Sequence, residues 1–418
     1  MKKTVITGGN VLRGEVEVHS AKNSILPILA AVILAKDECI INKCPPLKDV
    51  MIMLDILKNI GCVVDYNGDR VHIITRNISA SGVPEDMIKK LRSSIFILGP
   101  MLARLKEARL GYPGGCNIGL RPIDLHLSGL RKLGAVIEEK EGKIICSAPK
   151  IKGNDVCLDY PSVGATENIM MASALAEGTT VILNAAKEPE IQDLQEFINR
   201  MGGRVQGAGT SRITVTGVRE LSGCEFTPIQ DRIVAGTFMI LACITGGHVF
   251  IKNAVKEHNS HLIEKLKECG AKIRCDTDGI EIKTEARLKA ARLIETMPYP
   301  GFPTDLQSPM MALQAVSDGT SIMVENVFEN RFHLAGELRK MGADITVKDR
   351  MAVIKGIEKL SGAVVNAHDL RSGAALIVAG LSAEGVTTVN DQGYIDRGYY
   401  GLEEQIKKCG GSIAVTEE

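Results

Sequence analysis

The sequence has no net charge to offer a polyanion. Its 50 Lys and Arg residues balance 50 Asp and Glu over 418 residues, so no global field favours nucleic acid or an anionic membrane. Any anion site must be local. A long apolar run is also missing: the longest, SILPILAAVILA from Ser24 to Ala35, is too short to span a bilayer and suits a buried helix. The opening MKKTVITGGN is basic but runs into Thr and Gly without the apolar core of a secretory signal, so a cytoplasmic protein is expected. The 11 cysteines are odd in number and scattered, with no CxxC pair; their spacing encodes neither a disulfide framework nor a zinc site. No HExxH, GxSxG or metal-ligating cluster occurs. The glycine-rich GYPGGCNIGL lacks both a following Lys-Ser/Thr and dinucleotide-binding spacing, so it is a poor phosphate loop.

What is present is a large core and a hidden repeat. At 45% hydrophobic the chain can bury two or three domains. One pattern recurs: an amphipathic helix, a glycine turn, a strand and a hairpin strand, as in MLDILKNIGCVVDYNGDRVHI, HLSGLRKLGAVIEEKEGKIIC and LIEKLKECGAKIRCDTDGIEI. The turn glycines are Gly61, Gly134, Gly202, Gly270, Gly342 and Gly410. Their period of roughly 70 residues is longer than a solenoid repeat and close to a small supersecondary unit. Cys62, Cys269 and Cys409 adjoin these glycines and read as small core residues. Between the copies lies a second piece, a helix apolar nearly all round and then a β-branched strand, as in MMASALAEGTTVILNA and LIVAGLSAEGVTTVND. Such a helix is buried on every side. Each unit therefore reads helix, strand, helix, strand, strand, with the apolar helix inside and the strands outside. Six units exceed what one core organises, about 250 to 300 residues. Two domains of three are expected, 22–229 and 1–21 plus 230–418, with the crossing near CEFTPIQDR (Cys224 to Arg232) and the N-terminus completing the second.

Cations stand where helices should begin. Ser, Thr, Asp and Asn at such starts, as in Lys22-Asn23-Ser24 or Gly164-Ala165-Thr166, are ordinary N-caps. Lys22, Lys48, Arg92, Arg121, Arg331, Arg371 and Arg397 are not: each faces the positive end of a macrodipole at a cost of about 0.3–1 kcal/mol. For any one of them a solvated surface position is the plain alternative. Taken together they make sense around an anion, which free helix N–H groups also favour. If the helices of each domain run parallel, their starts share a face, and two opposed faces make a cleft for phosphate and carboxylate. Asp305, in YPGFPTDLQSP, reads as an N-cap and equally as a general base for a hydroxyl. Cys116 reads either as a free loop thiol or as a reactive group beside cations, on a stretch whose glycines suit a closing lid.

Eight segments in order, SAKNSILPILAA, PGGCNIGLRPIDLH, PSVGATENIMMA, NAAKEPEIQDL, PGFPTDLQ, ENRF, DLRSGAALI and YIDRGY, give the chain an end-to-end resemblance to the UDP-N-acetylglucosamine 1-carboxyvinyltransferases, a family of enolpyruvyl transferases. The resemblance implies a two-domain inside-out α/β barrel, each domain three βαβαββ-like repeats, with the active site in the interdomain cleft and a catalytic loop at about 111–122. It implies transfer of the enolpyruvyl group of phosphoenolpyruvate to the 3′-hydroxyl of UDP-N-acetylglucosamine with release of phosphate, opening peptidoglycan precursor synthesis. No metal or organic cofactor is expected, and the partners are these two small molecules; nucleic acid and membrane are not expected, and the chain is expected to be a monomer.

By position, Lys22, Arg121 and Arg397 match the family's contacts to the phosphate and carboxylate of phosphoenolpyruvate, and Arg92, Arg331 and Arg371 match further anion-stabilising residues. Asn23 and Asp305 match residues facing the sugar, Asp305 as the base. Asp369 matches a carboxylate assisting at the tetrahedral intermediate. Arg121, Pro122, Ile123, Asp124, Leu125, Ser162, Val163, Gly164 and Val327 match the nucleotide's surroundings. Cys116 falls on the family's loop cysteine, implying a general acid that protonates the methylene carbon once the loop has closed. Arg121 nearby would pull its pKa below about 8.5. Phe96 stands where many members have Trp. The rival within the fold, the enolpyruvyl transferase acting on shikimate 3-phosphate, lacks the cysteine loop; a non-catalytic nucleotide-sugar binding protein is the alternative of another class.

Overall fold

The computed structural model describes residues 2–79, 83–114, 118–119 and 122–417. The chain divides into two compact units, Ser20–Cys116 with Arg121–Ile229, and Met1–His19 with Asn117–Leu120 and Gln230–Glu418. Each has its own apolar core.

The six turn glycines share one conformation. Their φ values are 101° at Gly61, 95° at Gly134, 96° at Gly202, 103° at Gly270, 93° at Gly342 and 87° at Gly410. A Cβ would be strained there, which is why glycine recurs. The residue after each glycine donates its N–H back to a helix carbonyl five residues earlier: Cys62 to Leu57, Ala135 to Leu130, Gly203 to Ile198, Ala271 to Leu266, Ala343 to Leu338 and Gly411 to Ile406, at 2.9–3.1 Å. Each repeat therefore stops its amphipathic helix in the same way, and the acceptor is always Leu or Ile, buried in the core. Cys62, Cys269 and Cys409 are buried beside these turns, as their position implied.

The strands repeat as well. Glu225–Phe226 runs parallel to Glu38–Ile41, which pairs antiparallel with Arg70–Ile74, itself antiparallel to Val63–Asn67. In the other unit Arg13–Glu17 is parallel to His248–Lys252, and Gly279–Lys283 and Lys272–Cys275 follow antiparallel. Lys2–Thr7 lies between Val386–Asp391 and Ser412–Glu417, antiparallel to both. Five sheets have four strands, and a sixth has three among the described residues. Alternate residues of these strands are buried, so each sheet has one face on the core and one in solvent. Against the inner faces lie helices such as Arg232–Ile244 and Leu370–Ser382, buried along nearly their whole length. The apolar run at 24–35 forms the helix Lys22–Ala31 and the 3-10 turn Val32–Leu34, also buried.

Four sequence expectations about helix starts need correcting. Thr166 lies inside the helix Val163–Ser173, where its Oγ1 accepts from Ala186 N, and Asp305 makes no cap bond in the 3-10 turn Thr304–Leu306. Ser24 does not cap its helix; its hydroxyl donates to the buried carboxylate of Asp193, a tertiary partner that outcompetes the local one. Among the described residues the side-chain caps are Ser162, Asp231 and Asp369. Arg397 does not begin the last amphipathic helix: it ends a separate 3-10 turn, Ile395–Arg397, and the helix Leu402–Lys408 starts after Gly401, at φ 63°.

Asp193 ties the ends of its unit together. Besides Ser24 it accepts from Ile229 N at 3.0 Å, and Ala21 N donates to Ile229 O at 2.7 Å. Burial pushes its pKa from 3.8 up to about 6, against the pull of the Ser24 and Ile229 bonds and with help from Glu190 and Glu196. A raised acid contributes stability that is complete below its unfolded pKa and is lost as pH rises through the folded one. Wild type is therefore expected to lose about 3 kcal/mol relative to Asp193→Asn between pH 3.8 and about 6, read by urea unfolding across that window. A pH-independent difference between the two proteins would contradict this account of the carboxyl.

Candidate active site

In the unit holding residues 20–229, Lys22 opens its helix with Nζ 3.3 Å from Asp49 Oδ2, the side chains 12% and 3% exposed. Asp49 lies in the first turn of the neighbouring helix Lys48–Asn59 and offsets the repulsion that Lys22 meets at a helix start. Asn23 beside it is half-buried. Arg92 opens the 3-10 turn Arg92–Ile97 and donates from Nη1 to Pro113 O at 3.4 Å. Pro122 and Asp124 are exposed, Leu125 is half-buried and Ile123 is buried, around the start of helix Asp124–Lys132. Cys116 and Arg121 lie outside the described residues.

Ser162, Val163 and Gly164 are half-buried at the start of helix Val163–Ser173, where Ser162 Oγ accepts from Ala165 N at 3.4 Å. Gly164 is closely packed: a Cβ would sit 3.0 Å from His126 Cε1 and 3.1 Å from Phe96 Cε1, so a side chain there would press on both rings. His126 Nδ1 lies 2.9 Å from Asn168 Nδ2, which also donates to Ile95 O at 2.8 Å, while Asn168 Oδ1 accepts from Gly99 N at 2.7 Å. An amide nitrogen only donates, so this network assigns the proton of neutral His126 to Nε2, next to Gly164.

In the other unit the site centres on Asp305. Its Oδ1 accepts from Arg331 Nη2 at 2.8 Å and its Oδ2 from Arg371 Nη2 at 2.9 Å; the arginine side chains are 3% and 4% exposed, the carboxylate 25%. Arg331 Nη1 donates to Thr304 Oγ1 at 2.6 Å, and Thr304 gives its single hydroxyl proton to Glu325 at 2.9 Å. Glu325 is fully buried and also accepts from Thr296 Oγ1, Val327 N and Phe328 N at 2.9–3.0 Å. One carboxylate therefore fixes both the turn carrying Val327, itself half-buried, and the polarity of Thr304, which in turn aims Arg331 at Asp305. Burial works against the charge of Arg371, and Asp305, Tyr399 and Asp231 outweigh it, holding that guanidinium above its usual range.

Asp369 is buried and accepts from Arg371 N at 2.7 Å and Ser372 N at 3.1 Å, and Ser372 returns a bond, so its cap sets where Arg371 begins. Arg397 is half-buried in its turn. Ile118 and Gly119 belong to this unit: Asn330 N donates to Ile118 O at 3.1 Å, and Gly119, at φ 140°, lies so close to the Glu329 carboxylate that a Cβ would meet it at 2.6 Å. The structure thus brings Asp305, Arg331, Arg371 and Asp369 together, with Val327 one turn away. It pairs Lys22 with Asp49 rather than with another cation.

Comparison with known proteins identifies the family. The sequence model of EPSP synthase (3-phosphoshikimate 1-carboxyvinyltransferase) matches residues 6–406. A UDP-N-acetylglucosamine 1-carboxyvinyltransferase 2 of Caldanaerobacter subterraneus subsp. tengcongensis is 52% identical over 413 residues, 99% of each chain. The chain belongs to the EPSP synthase family. Another relative, a UDP-N-acetylglucosamine 1-carboxyvinyltransferase 1 of Carboxydothermus hydrogenoformans, is 49% identical over 99% of this chain and 98% of its own. The fold of this family member matches the enolpyruvyl transferase NikO from Streptomyces tendae, with TM-score 0.89 at 22% identity over 99% of each chain. It matches EPSP synthase from Acinetobacter baumannii with TM-score 0.77 at 20% identity over the whole of both. At such identities these two likenesses bear on fold alone.

Several residues of the site escaped the sequence reading. Thr304 works through partners 20 or more positions away, and so does Glu325 apart from its bonds from Val327 N and Phe328 N, so no local pattern shows the pair. Glu167 could have been found, as an acid inside the apolar helix Val163–Ser173. It is fully buried, and neither carboxyl oxygen has a hydrogen-bond partner among the described residues. Burial first, then Glu190 and Glu188, raises its pKa well above the carboxylate range. The described cysteines read as expected of core thiols: seven are buried, and burial pushes Cys39, Cys44, Cys62, Cys146 and Cys243 up to about 12.

Thr304→Val leaves Arg331 Nη1 without its acceptor and Glu325 short of a donor, and is expected to cost about 1–3 kcal/mol in urea unfolding. Thr304→Ser keeps the hydroxyl and is expected to recover most of that; equal losses in both would refute the hydroxyl's role.

Proposed function

We propose that this enzyme transfers the enolpyruvyl group of phosphoenolpyruvate to the 3′-hydroxyl of UDP-N-acetylglucosamine and releases phosphate, the first committed step of peptidoglycan precursor synthesis. The observation that carries the reading is the pairing of full-length relatives near 50% identity that bear that activity in their names with a carboxylate, Asp305, set between Arg331 and Arg371. The shikimate 3-phosphate reaction named for the family as a whole is the rival.

In this reading the hydroxyl oxygen attacks C2 of phosphoenolpyruvate and its proton passes to Asp305. The Cys116 thiol gives a proton to C3, and the tetrahedral adduct forms. Elimination then returns the C3 proton to the thiolate and breaks the C2–O bond to phosphate, which leaves with the proton that Asp305 held. Lys22, Arg92, Arg121, Arg331, Arg371 and Arg397 supply positive charge for the phosphate and carboxylate. Asp369 supports the adduct. Asn23, Pro122, Ile123, Asp124, Leu125, Ser162, Val163, Gly164 and Val327 line the sugar and nucleotide. The step as written balances without a metal or an organic cofactor. No described helix is long and apolar enough to cross a membrane. With zero net charge, a monomer working in the cytoplasm on these two small molecules, without nucleic acid or membrane, completes the reading.

Phosphate release is expected only when phosphoenolpyruvate and UDP-N-acetylglucosamine are both present. Release with shikimate 3-phosphate instead would select the rival, and release with neither acceptor would leave only a binding protein. Asp305→Ala is expected to lose roughly 10²–10⁴-fold in turnover while still binding the nucleotide sugar. An epoxide mimic of phosphoenolpyruvate is expected to add to Cys116, seen as one mass increment on the peptide spanning that residue; an adduct on another cysteine would remove Cys116 from the mechanism.

A further inference from the structure

Two guanidiniums that should serve a substrate's anion are engaged with the protein's own carboxylate. Arg331 and Arg371 each spend one Nη2 on an oxygen of Asp305, at 2.8 and 2.9 Å. Each also keeps a buried donor with no acceptor among the described residues, Arg331 Nε and Arg371 Nη1, although the Tyr399 hydroxyl also favours the charge of Arg371. Both side chains are more than nine-tenths buried, so water does not make up the deficit. Arg331 Nη1 is already held by Thr304, and the rings of Phe328 and Tyr399 stack near the two guanidiniums at 5.2 and 5.5 Å. The planes are therefore fixed in orientation while part of their hydrogen-bonding capacity is unfilled. A guanidinium with spare in-plane donors is built for an oxyanion with several oxygens, a phosphate or a carboxylate.

We infer that Asp305 is a resident stand-in for the substrate's anion, held idle by Arg331 and Arg371 until an incoming oxyanion takes over their donors. This rests on the reading of Asp305 as the base that accepts the hydroxyl proton. A carboxylate gripped by two cations is a poorer proton acceptor than one they have partly released, because an adjacent opposite charge favours its ionised form. Arrival of the phosphoenolpyruvate anion draws the guanidiniums toward its own oxygens, and the lone pairs of Asp305 become available to the sugar hydroxyl. Activation of the acceptor is in this way conditional on the donor being in place. No bond to Asp305 is made or broken in the switch; hydrogen bonds are exchanged between one oxyanion and another.

Inorganic phosphate is the probe, titrated calorimetrically into the full chain without either organic substrate. If Asp305 competes for the guanidiniums, Asp305→Asn is expected to bind phosphate at least about tenfold more tightly than wild type at ~0.15 M salt. Asp231→Asn controls for simple loss of a nearby negative charge, since Asp231 acts on Arg371 through its charge while its carboxylate caps its own helix at Ile233 N and Val234 N, and asparagine keeps the cap. It is expected to change phosphate affinity less than about threefold. Equal tightening in both variants, or no tightening in Asp305→Asn, overturns the proposal. Asp305→Ala repeats the test with the side chain removed. Wild type supplies a readout free of folding effects: its infrared difference spectrum on adding phosphate should show a carboxylate band shifting as Asp305 leaves the guanidiniums, and an unchanged carboxylate region counts against the exchange. Because neither organic substrate enters these measurements, a wrong assignment of the acceptor sugar would leave their outcome unaffected.

Discussion

A carboxylate between two almost fully buried guanidiniums organises the unit that contains residues 230–418. Burying two cations is costly unless anions and hydrogen-bond partners meet them. Here the balance comes from two acids at different depths. Asp305 takes one donor from each arginine and keeps a quarter of its side chain open, while Glu325 lies out of reach of solvent and acts through Thr304. The deeper acid is structural and the shallower one is available for chemistry. What separates them is one hydroxyl, whose proton can point only one way.

The repeat explains how such a group comes to sit where it does. Five of the six sheets combine one parallel with two antiparallel pairings among the described residues, and every repeat ends its amphipathic helix on a left-handed glycine. The scaffold thus presents several apolar helices whose interior residues are committed to packing. Only their first turns remain for polar work, and that is where Lys22, Arg92, Asp305 and Arg371 are found. The candidate site residues gather at helix starts because burial has used up the rest of each helix.

How much of this was legible in the sequence depends on how local the cause is. The six glycine turns were readable because a positive φ leaves a mark on residue type at one position. The apolar helices were readable because burial on all sides leaves few polar residues over three turns. Caps were less readable: Ser24 had the right chemistry for one, yet Asp193, 169 positions away, claimed its hydroxyl. Arg397 reads as a helix start in the sequence, whereas it ends a 3-10 turn and the helix Leu402–Lys408 begins only after Gly401. Of the site, the cations and Asp305 were named from their position and from the family resemblance. Glu325 and Thr304 were not, since their role exists only once distant segments have packed.

The interior thiols have a consequence for how the protein meets reactive small molecules. Seven of the ten described cysteines are shut inside the two cores, and burial keeps them in the unreactive protonated form. At those seven positions sulfur is used as a filler, soft and compact, and among the described residues only exposed Cys157 and half-buried Cys224 and Cys275 are left for electrophiles or oxidants to find. A chain rich in cysteine can in this way remain chemically quiet over most of its volume, so that a reagent's selectivity is decided by the architecture before any recognition begins.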